Sequence, residues 1–370
     1  MSSFRRTTER SGRLRWVVIC VASVLVAVGM PSAAAFRAGD LQRAPAPACL
    51  PSIGIAPSYV LNEPADDLAR DVARTRELGG TRYRFDVDWS VVEPTKGTYN
   101  WGPVDRVLDA VLSAGLTPLG VLAYAPPWAE VAGADSMHGA PIDTPAFAAF
   151  AGAAAARYAG RINDWEIWNE PNNNLFWSPV PDPAVYTALL KQSYPAIKAA
   201  QPNSTVLAGA LAPGSDHARG KMDPLTFLAR MYDAGARGSF DALSVHPYSY
   251  PWMPTDSTTS SWSAFQRMPL LHDLMTSNGD GGKSIWVTEF GAPTGTSSVA
   301  VSPDDQAKYL TEGLTAMSRL DYVHTVLIYS IRDSGVDAAD PEQNFGLLDF
   351  AFSPKPAFGA VQRLVAESRC

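Results

Sequence analysis

Short apolar segments alternate with amphipathic segments along most of the chain. The apolar segments are five to nine residues long and rich in Val, Ile, Leu and aromatic residues, as strands buried on both faces of a parallel sheet are. Between them apolar residues recur at helical spacing, as in residues 104–115, where Gly115 marks the helix end. Eight strands are predicted, at residues 52–56, 81–87, 116–124, 162–169, 204–210, 240–246, 284–290 and 324–330.

Eight strands that are each followed by a helix predict the α/β class and a single (β/α)8 TIM barrel over residues 51–370. One helix is predicted within residues 182–202, which open with Asp-Pro. A last helix is predicted at about residues 356–368. An open doubly wound sheet is the alternative, but its first strand usually runs into a glycine-rich phosphate-binding turn. The segment SIGIAP at residues 52–57 is not such a turn.

The N-terminus has the pattern of a secretory signal peptide over residues 1–35. Five arginines precede an uncharged run of 15 residues from Trp16 to Met30, and three alanines follow at 33–35. The run is short for a membrane span of about 20 residues, although an uncleaved anchor is the alternative. An Ala- and Pro-rich linker is predicted at residues 36–50. We therefore expect a secreted or cell-wall-associated protein without stable membrane insertion after cleavage.

The charge of the mature chain bears on its partners. Without residues 1–35 the chain has 25 Lys and Arg against 36 Asp and Glu, a net charge of −11, which argues against nucleic acid or an anionic membrane as partner. The chain has no Gly-x-Ser-x-Gly, Walker or dinucleotide motif, and its five histidines lack metal-ligand spacing. We predict neither a metal nor a cofactor, and we expect a monomer.

The C-terminal ends of the predicted strands hold the candidate chemistry, because a TIM barrel carries its active site there. Strand four ends in Glu170, within WEIWNEPN, and strand seven ends in Glu289, within WVTEFG. Two carboxyl groups that flank one bond can cleave a glycoside, one as acid and one as nucleophile. Other candidates at or just after strand ends, predicted to bind substrate, are Arg84, Tyr124, Trp128, Asn169, His246, Tyr248 and Tyr329.

These motifs resemble those of the retaining glycoside hydrolases of clan A, the 4/7 superfamily, in the form of secreted family 5 and family 39-like proteins of actinobacteria. The resemblance spans residues 52–362 and includes the second-strand block GGTRYRFDVDWSVVEPTKGTYNW, with Arg84 as the active-site arginine, and the closing segment at residues 345–358. It implies that Glu170 is the general acid/base and Glu289 the nucleophile.

These roles make physical demands on the site. Glu170 must be protonated at rest, so burial must raise its pKa. Glu289 must be ionised, which Arg84 and the Tyr248 hydroxyl would favour. Asn169 would bond the 2-hydroxyl of the sugar. Because Asn169 and Glu170 are adjacent and both must face the pocket, we expect a bulge or bend in strand four.

Several polar and aromatic residues have more than one interpretation. Glu166 lies deeper in strand four, and we predict a structural, hydrogen-bonded role for it. His246 is predicted to contact substrate, with a satisfied core histidine as the alternative. The loop residues Trp128, Trp177 and Trp252 fit either stacking on sugars or packing of loops onto the barrel rim.

The sequence therefore predicts a secreted retaining β-glycosidase that acts on a polysaccharide or oligosaccharide. Relatives of this kind include enzymes that cleave β-galactofuranosyl linkages of cell-wall galactan, and we rank that substrate first, before exopolysaccharide or plant β-glycan. A catalytically silent glycan-binding barrel is the alternative from another class. A transglycosylase would use the same residues, and a sugar hydroxyl would replace water.

We predict a disulfide between Cys49 and Cys370 that closes the barrel seam at its N-terminal face. Export places both thiols in an oxidising compartment, and cleavage removes Cys20. The chain-entropy argument gives a stabilisation of at most about 5 kcal/mol for so long a loop. Intact mass spectrometry of the exported protein should show no alkylatable thiol before reduction. Two alkylatable thiols would contradict the pairing.

Overall fold

A closed barrel of eight parallel strands forms the protein in the computed structural model, which describes residues 49–132, 134, 138–216 and 220–368. The strands pair in chain order, and β8 closes onto β1. The predicted (β/α)8 barrel is confirmed. The strands are β1 Ser52–Ile55, β2 Arg82–Asp88, β3 Thr117–Ala123, β4 Asp164–Asn169, β5 Thr205–Leu211, β6 Ala242–Val245, β7 Ile285–Phe290 and β8 Val323–Ile328.

Helices follow the strands around the outside of the barrel. Several begin with a capping Asp or Ser and a proline in the first turn; Asp182, for example, accepts hydrogen bonds from the first amides of its helix. The helices are α1 Ala65–Glu77, α2 Trp89–Val92, α3 Gly102–Ser113, α4 Thr144–Arg157, α5 Pro183–Ala200, α6 Pro224–Asp233, α7 Met268–Ser277, α8 Pro303–Met317 and α9 Pro356–Glu367.

Side chains fill the lower part of the barrel interior. A small apolar cluster that includes Leu119, Leu207 and Trp286 lies there. The guanidinium of Arg82 packs 4.6 Å from the Trp286 ring and pairs with Asp164 at 2.5 Å. Because this end is filled, the open part of the barrel is at the C-terminal ends of the strands.

The predictions for the two chain termini concern residues that mostly lie outside the described part of the chain. The predicted signal peptide, residues 36–48 of the linker and Cys370 lie outside the described residues. Cys49 is disulfide-bonded. None of the described helices combines the length and the apolar character needed to cross a membrane.

Gly120 of β3 faces the outer layer, where the Trp165 ring of β4 covers it. A Cβ at Gly120 would lie 2.9 Å from Cζ3 of Trp165. The indole is held in place because its Nε1 donates a hydrogen bond of 2.7 Å to Gln201.

Gly120→Ala should therefore destabilise the protein by about 1–3 kcal/mol, the usual range for an overpacked core. Urea unfolding measures the change. Gly282→Ala is the matched control, because its Cβ would meet no atom within 4 Å. Equal stability of the two variants would contradict close packing between β3 and β4.

Candidate active site

A cavity of about 640 Å³ opens at the C-terminal ends of the strands. It is lined by residues from the loops after most of the strands. Seven of the nine predicted site residues lie in its wall: Arg84, Tyr124, Asn169, Glu170, Tyr248, Glu289 and Tyr329.

Arg84 of β2 ties the floor of this cavity together. Its Nη1 donates to Oε1 of Glu289 at 2.7 Å, and its Nη2 donates to Oδ1 of Asn169 at 2.7 Å. Nε and Nη2 also donate to the carboxylate of Glu166, at 3.1 and 3.3 Å. Burial alone would lower the pKa of Arg84, but the carboxylates of Glu166 and Glu289 raise it above its ordinary value. The predicted structural role of the fully buried Glu166 agrees with these contacts.

Both oxygens of Glu289 accept hydrogen bonds. Arg84 bonds Oε1, and the Tyr248 hydroxyl donates to Oε2 at 2.7 Å. Burial and the neighbouring Glu289 raise the pKa of Tyr248 well above its ordinary value, so its hydroxyl keeps its proton and remains a donor. A cation on one side and a phenol donor on the other thus hold the Glu289 carboxyl group in place.

The end of β4 bends so that Asn169 and Glu170 both reach the cavity. Trp168 has φ 73° and Glu170 has φ 47°, backbone conformations that residues other than glycine rarely adopt. Trp168 turns outward, and its indole donates to the Phe176 carbonyl oxygen at 2.7 Å. The bend predicted for this strand is confirmed.

Glu170 lies in a different environment from Glu289. Only 8% of its surface is exposed, and burial raises its pKa, although the Asn173 side chain, Lys221 and Arg84 act in the opposite direction. Asn173 donates to Oε2 at 2.8 Å. The remaining oxygen, Oε1, lies 2.9 Å from Nδ1 of His246.

The hydrogen bonds beneath the cavity determine which nitrogen of His246 carries the proton. Burial lowers the pKa of His246 to about 4, so the imidazole is neutral and has one N–H. The Thr288 hydroxyl donates to Glu166 at 3.3 Å and can therefore only accept from Nε2 of His246, 3.2 Å away. The N–H is then on Nε2, and Nδ1 accepts a hydrogen bond from protonated Glu170.

The two carboxyl groups are close to each other. Ligand atoms of Glu170, Glu289 and His246 all lie within 4.8 Å of one another. The spacing could hold a metal ion, but both oxygens of Glu289 are bonded, and the Arg84 guanidinium would repel a cation. The short separation instead fits retaining glycosidases, in which the carboxyl groups are about 5–5.5 Å apart, rather than inverting ones at about 6.5–9.5 Å.

Two predicted substrate contacts lie elsewhere. His246 has no exposed surface and lies beneath the two glutamates, so it supports them and is not in the cavity wall. Trp128 lies outside the cavity lining. Its indole donates to the Glu93 carbonyl oxygen at 3.0 Å and packs edge-on against Trp89, so the packing interpretation holds for it.

Other loop tryptophans divide between the two interpretations. Trp177 is buried, whereas Trp252 is 49% exposed. Trp252 packs edge-to-face against Trp262, with ring centroids 4.9 Å apart, and Trp262 lines the cavity mouth while 47% exposed. Sequence reasoning did not find Trp262, although a lone tryptophan in the polar segment TTSSWSAF was an available signal.

Further lining residues were not predicted to bind substrate. Asp86 lies two residues after Arg84 near the end of β2, and Asn173 follows Glu170 by three residues. Lys221 and Glu342 come from the loops after β5 and β8. Strand patterns do not place loop residues, so only the fold brings these to the cavity.

Solved structures similar to this chain include glycoside hydrolases of families 39 and 5. A family 39 glycoside hydrolase from Bacteroides cellulosilyticus is 27% identical, with a TM-score of 0.69 over 86% of this chain and 64% of that one. A monomeric β-xylosidase from Caulobacter crescentus is 22% identical, with a TM-score of 0.66 over 86% of this chain and 69% of that one.

A subfamily 18 member of family 5 from Streptomyces cattleya, solved with Manβ1-4GlcNAc, is 18% identical, with a TM-score of 0.66 over 86% of this chain and 81% of that one.

This chain spans less than two thirds of the length of the family 39 hydrolase from B. cellulosilyticus. No protein-family model and no curated protein sequence matches the chain. The resemblance of the fold to clan A glycoside hydrolases is confirmed.

Thr288→Val should change the protonation of His246. Without the hydroxyl, Nε2–H loses its acceptor, so the tautomer with the proton on Nδ1 gains population and donates to the Glu170 carboxylate. This stabilises ionised Glu170 and lowers its pKa relative to the wild type. Nitrogen-15 NMR of the imidazole reports the tautomer, and carbon-13 NMR of labelled glutamate reports the carboxyl titration.

Thr325→Val is the control, because Thr325 is a buried threonine of β8 that takes no part in the hydrogen bonds of His246 and Thr288. It should leave both signals unchanged. A wild-type His246 with its proton on Nδ1 would contradict the proposed hydrogen bond from Nε2 of His246 to Thr288.

Proposed function

We propose that the protein is a retaining β-glycosidase with Glu170 as general acid/base and Glu289 as nucleophile. One observation carries the proposal: two carboxyl groups with oxygens within 4.8 Å of each other lie in contrasting environments. Burial favours the protonated form of Glu170, while Arg84 and Tyr248 bond both oxygens of Glu289. Such a divided pair is the usual signature of acid and nucleophile assignments.

The reaction follows from these positions. A Glu289 oxygen attacks the anomeric carbon while Glu170 gives its proton to the departing glycosidic oxygen, so one C–O bond forms as another breaks. Glu170 is then a carboxylate and takes a proton from water as that water attacks the glycosyl-enzyme. The second displacement releases Glu289, and the product keeps the β configuration.

The charges in the cavity support a neutral glycan as substrate. Burial in the cavity already raises the pKa of Asp86, Glu170 and Glu342, so the further carboxylate of a uronic acid would also be disfavoured there. The lining includes four carboxyl groups and the bases Arg84, Lys221 and His138.

The cavity mouth supports a substrate of more than one sugar. Trp262 and Trp252 form an exposed aromatic pair that begins in the cavity wall. An aromatic face of this kind is suited to the apolar face of a sugar ring. We therefore propose an oligosaccharide or polysaccharide whose outer residues lie against Trp262.

The finer parts of the proposal rest on the sequence. The signal-peptide pattern of residues 1–35 supports export to the cell wall or medium. The resemblance to secreted actinobacterial proteins puts β-galactofuranosyl linkages first among substrates. Aryl β-glycosides of galactofuranose, xylose, mannose and glucose would distinguish the candidates by their rates. Glycan binding without turnover of any of them would instead favour a silent barrel.

The two glutamates should respond differently to removal. Glu170→Ala should lower kcat/KM by about 10²–10⁴-fold on substrates with poor leaving groups and should spare dinitrophenyl glycosides, which need no proton. Azide should rescue Glu170→Ala and give a β-glycosyl azide, identified by proton NMR. Glu289→Ala should form no covalent intermediate with a 2-fluoro glycoside, as measured by mass spectrometry.

Glu77→Gln, on the exposed surface of α1, is the control and should retain wild-type rates. An α-glycosyl azide from Glu170→Ala, or undiminished turnover by Glu289→Ala, would reverse the assignment.

A further inference from the structure

Asp86 has a place in the cavity that the proposed chemistry does not use. Alternate residues of β2 face the barrel interior, so Asp86 stands one layer above Arg84 on the same face and lines the cavity. It contacts neither of the two glutamates through a hydrogen bond. Its register partner in β3 is the apolar Val121.

Among the described residues, none donates a hydrogen bond to the carboxyl group of Asp86 or forms an ion pair with it. Arg84, the nearby cation, directs its hydrogen bonds to Glu166, Asn169 and Glu289. Burial raises the pKa of Asp86 to about 7, although the charge of Arg84 acts in the opposite direction, and the surrounding carboxylates raise it further. A partly buried carboxyl group without a donor is costly for the folded protein.

A nearby hydroxyl group does not bond the Asp86 carboxyl group. The Tyr59 hydroxyl, from the loop after β1, donates to Asp88 at 3.2 Å instead. Asp88 also caps α2 through the amides of Ser90 and Val91. The next carboxyl group along β2, that of Asp88, is therefore satisfied by the protein, whereas the carboxyl group of Asp86 faces the cavity.

We propose that Asp86 is a specificity-determining residue that accepts hydrogen bonds from hydroxyl groups of the sugar attacked by Glu289. The proposal rests on the proposed glycosidase function. Asn169, bonded to Arg84, is expected at the 2-hydroxyl, and Asp86 extends the same polar floor one layer outward. It thus meets a ring hydroxyl other than the 2-hydroxyl, and a sugar that lacks that hydroxyl leaves the carboxyl group unpaired.

A structural role for Asp86 would predict that its replacement lowers the melting temperature of the protein. Because Asp86 forms no hydrogen bond or ion pair with the described residues, Asp86→Asn removes an unpaired charge near Asp88, Glu166 and Glu289 without breaking such a contact. The melting temperature should stay equal or rise, while activity falls. Loss of activity without loss of stability is typical of a residue kept for function.

The experiment pairs enzyme variants with deoxy substrates. The probes are the 4-nitrophenyl β-glycosides of xylose, mannose and galactofuranose, and for the fastest of them the analogues that each lack one hydroxyl other than the 2-hydroxyl. For one analogue the wild-type kcat/KM should fall by roughly 10–100-fold, the value of a hydrogen bond to a charged group. Asp86→Ala should lose the same factor on the full substrate and nothing further on that analogue.

Asp66→Asn, at an exposed position of α1, should retain wild-type rates on every analogue. Equal deoxy penalties in the wild type and Asp86→Ala, or a lower melting temperature for Asp86→Asn, would overturn the role of Asp86 alone. A wild-type chain that hydrolyses none of the glycosides would overturn the proposed function and this role with it.

Discussion

The Arg84 guanidinium donates hydrogen bonds to side chains from two other strands, and the geometry of the cavity floor depends on it. It holds Glu166 and Asn169 of β4 and Glu289 of β7 in fixed positions. Without it, Glu166 would be a buried carboxylate that lacks its cation, a loss of about 3–5 kcal/mol in typical buried pairs. One buried cation therefore links β2 to β4 and β7 across the barrel and orients Glu289.

The two glutamates lie in different surroundings. Glu289 is bonded to a cation and a phenol, whereas Glu170 is buried beside an amide and a neutral imidazole. Thr288 extends this second environment by accepting the imidazole N–H and donating to Glu166. Arg84 also donates to Glu166, so this buried carboxylate links the surroundings of Glu289 to those of Glu170 below the cavity.

The barrel separates stability from chemistry along its axis. Its lower interior is closed by Leu119, Leu207 and Trp286 with the Arg82 guanidinium, while the upper layer is polar and open. Asp86 belongs to the upper layer and has no hydrogen-bond partner in the part of the chain that the structure describes. Polar groups left unpaired in this layer cost stability, and that cost is acceptable only where a ligand supplies the missing hydrogen bonds.

The sequence by itself determined the eight strands, the barrel and the two glutamates, because strand periodicity and strand ends are local properties of the chain. It did not determine which side chains meet across the barrel: Arg84 and Glu289 are 205 positions apart. The tertiary structure placed His246 beneath the glutamates, packed Trp128 against Trp89, and brought Trp262 to the cavity. These outcomes depend on loop paths and on contacts between distant strands, which periodicity does not encode.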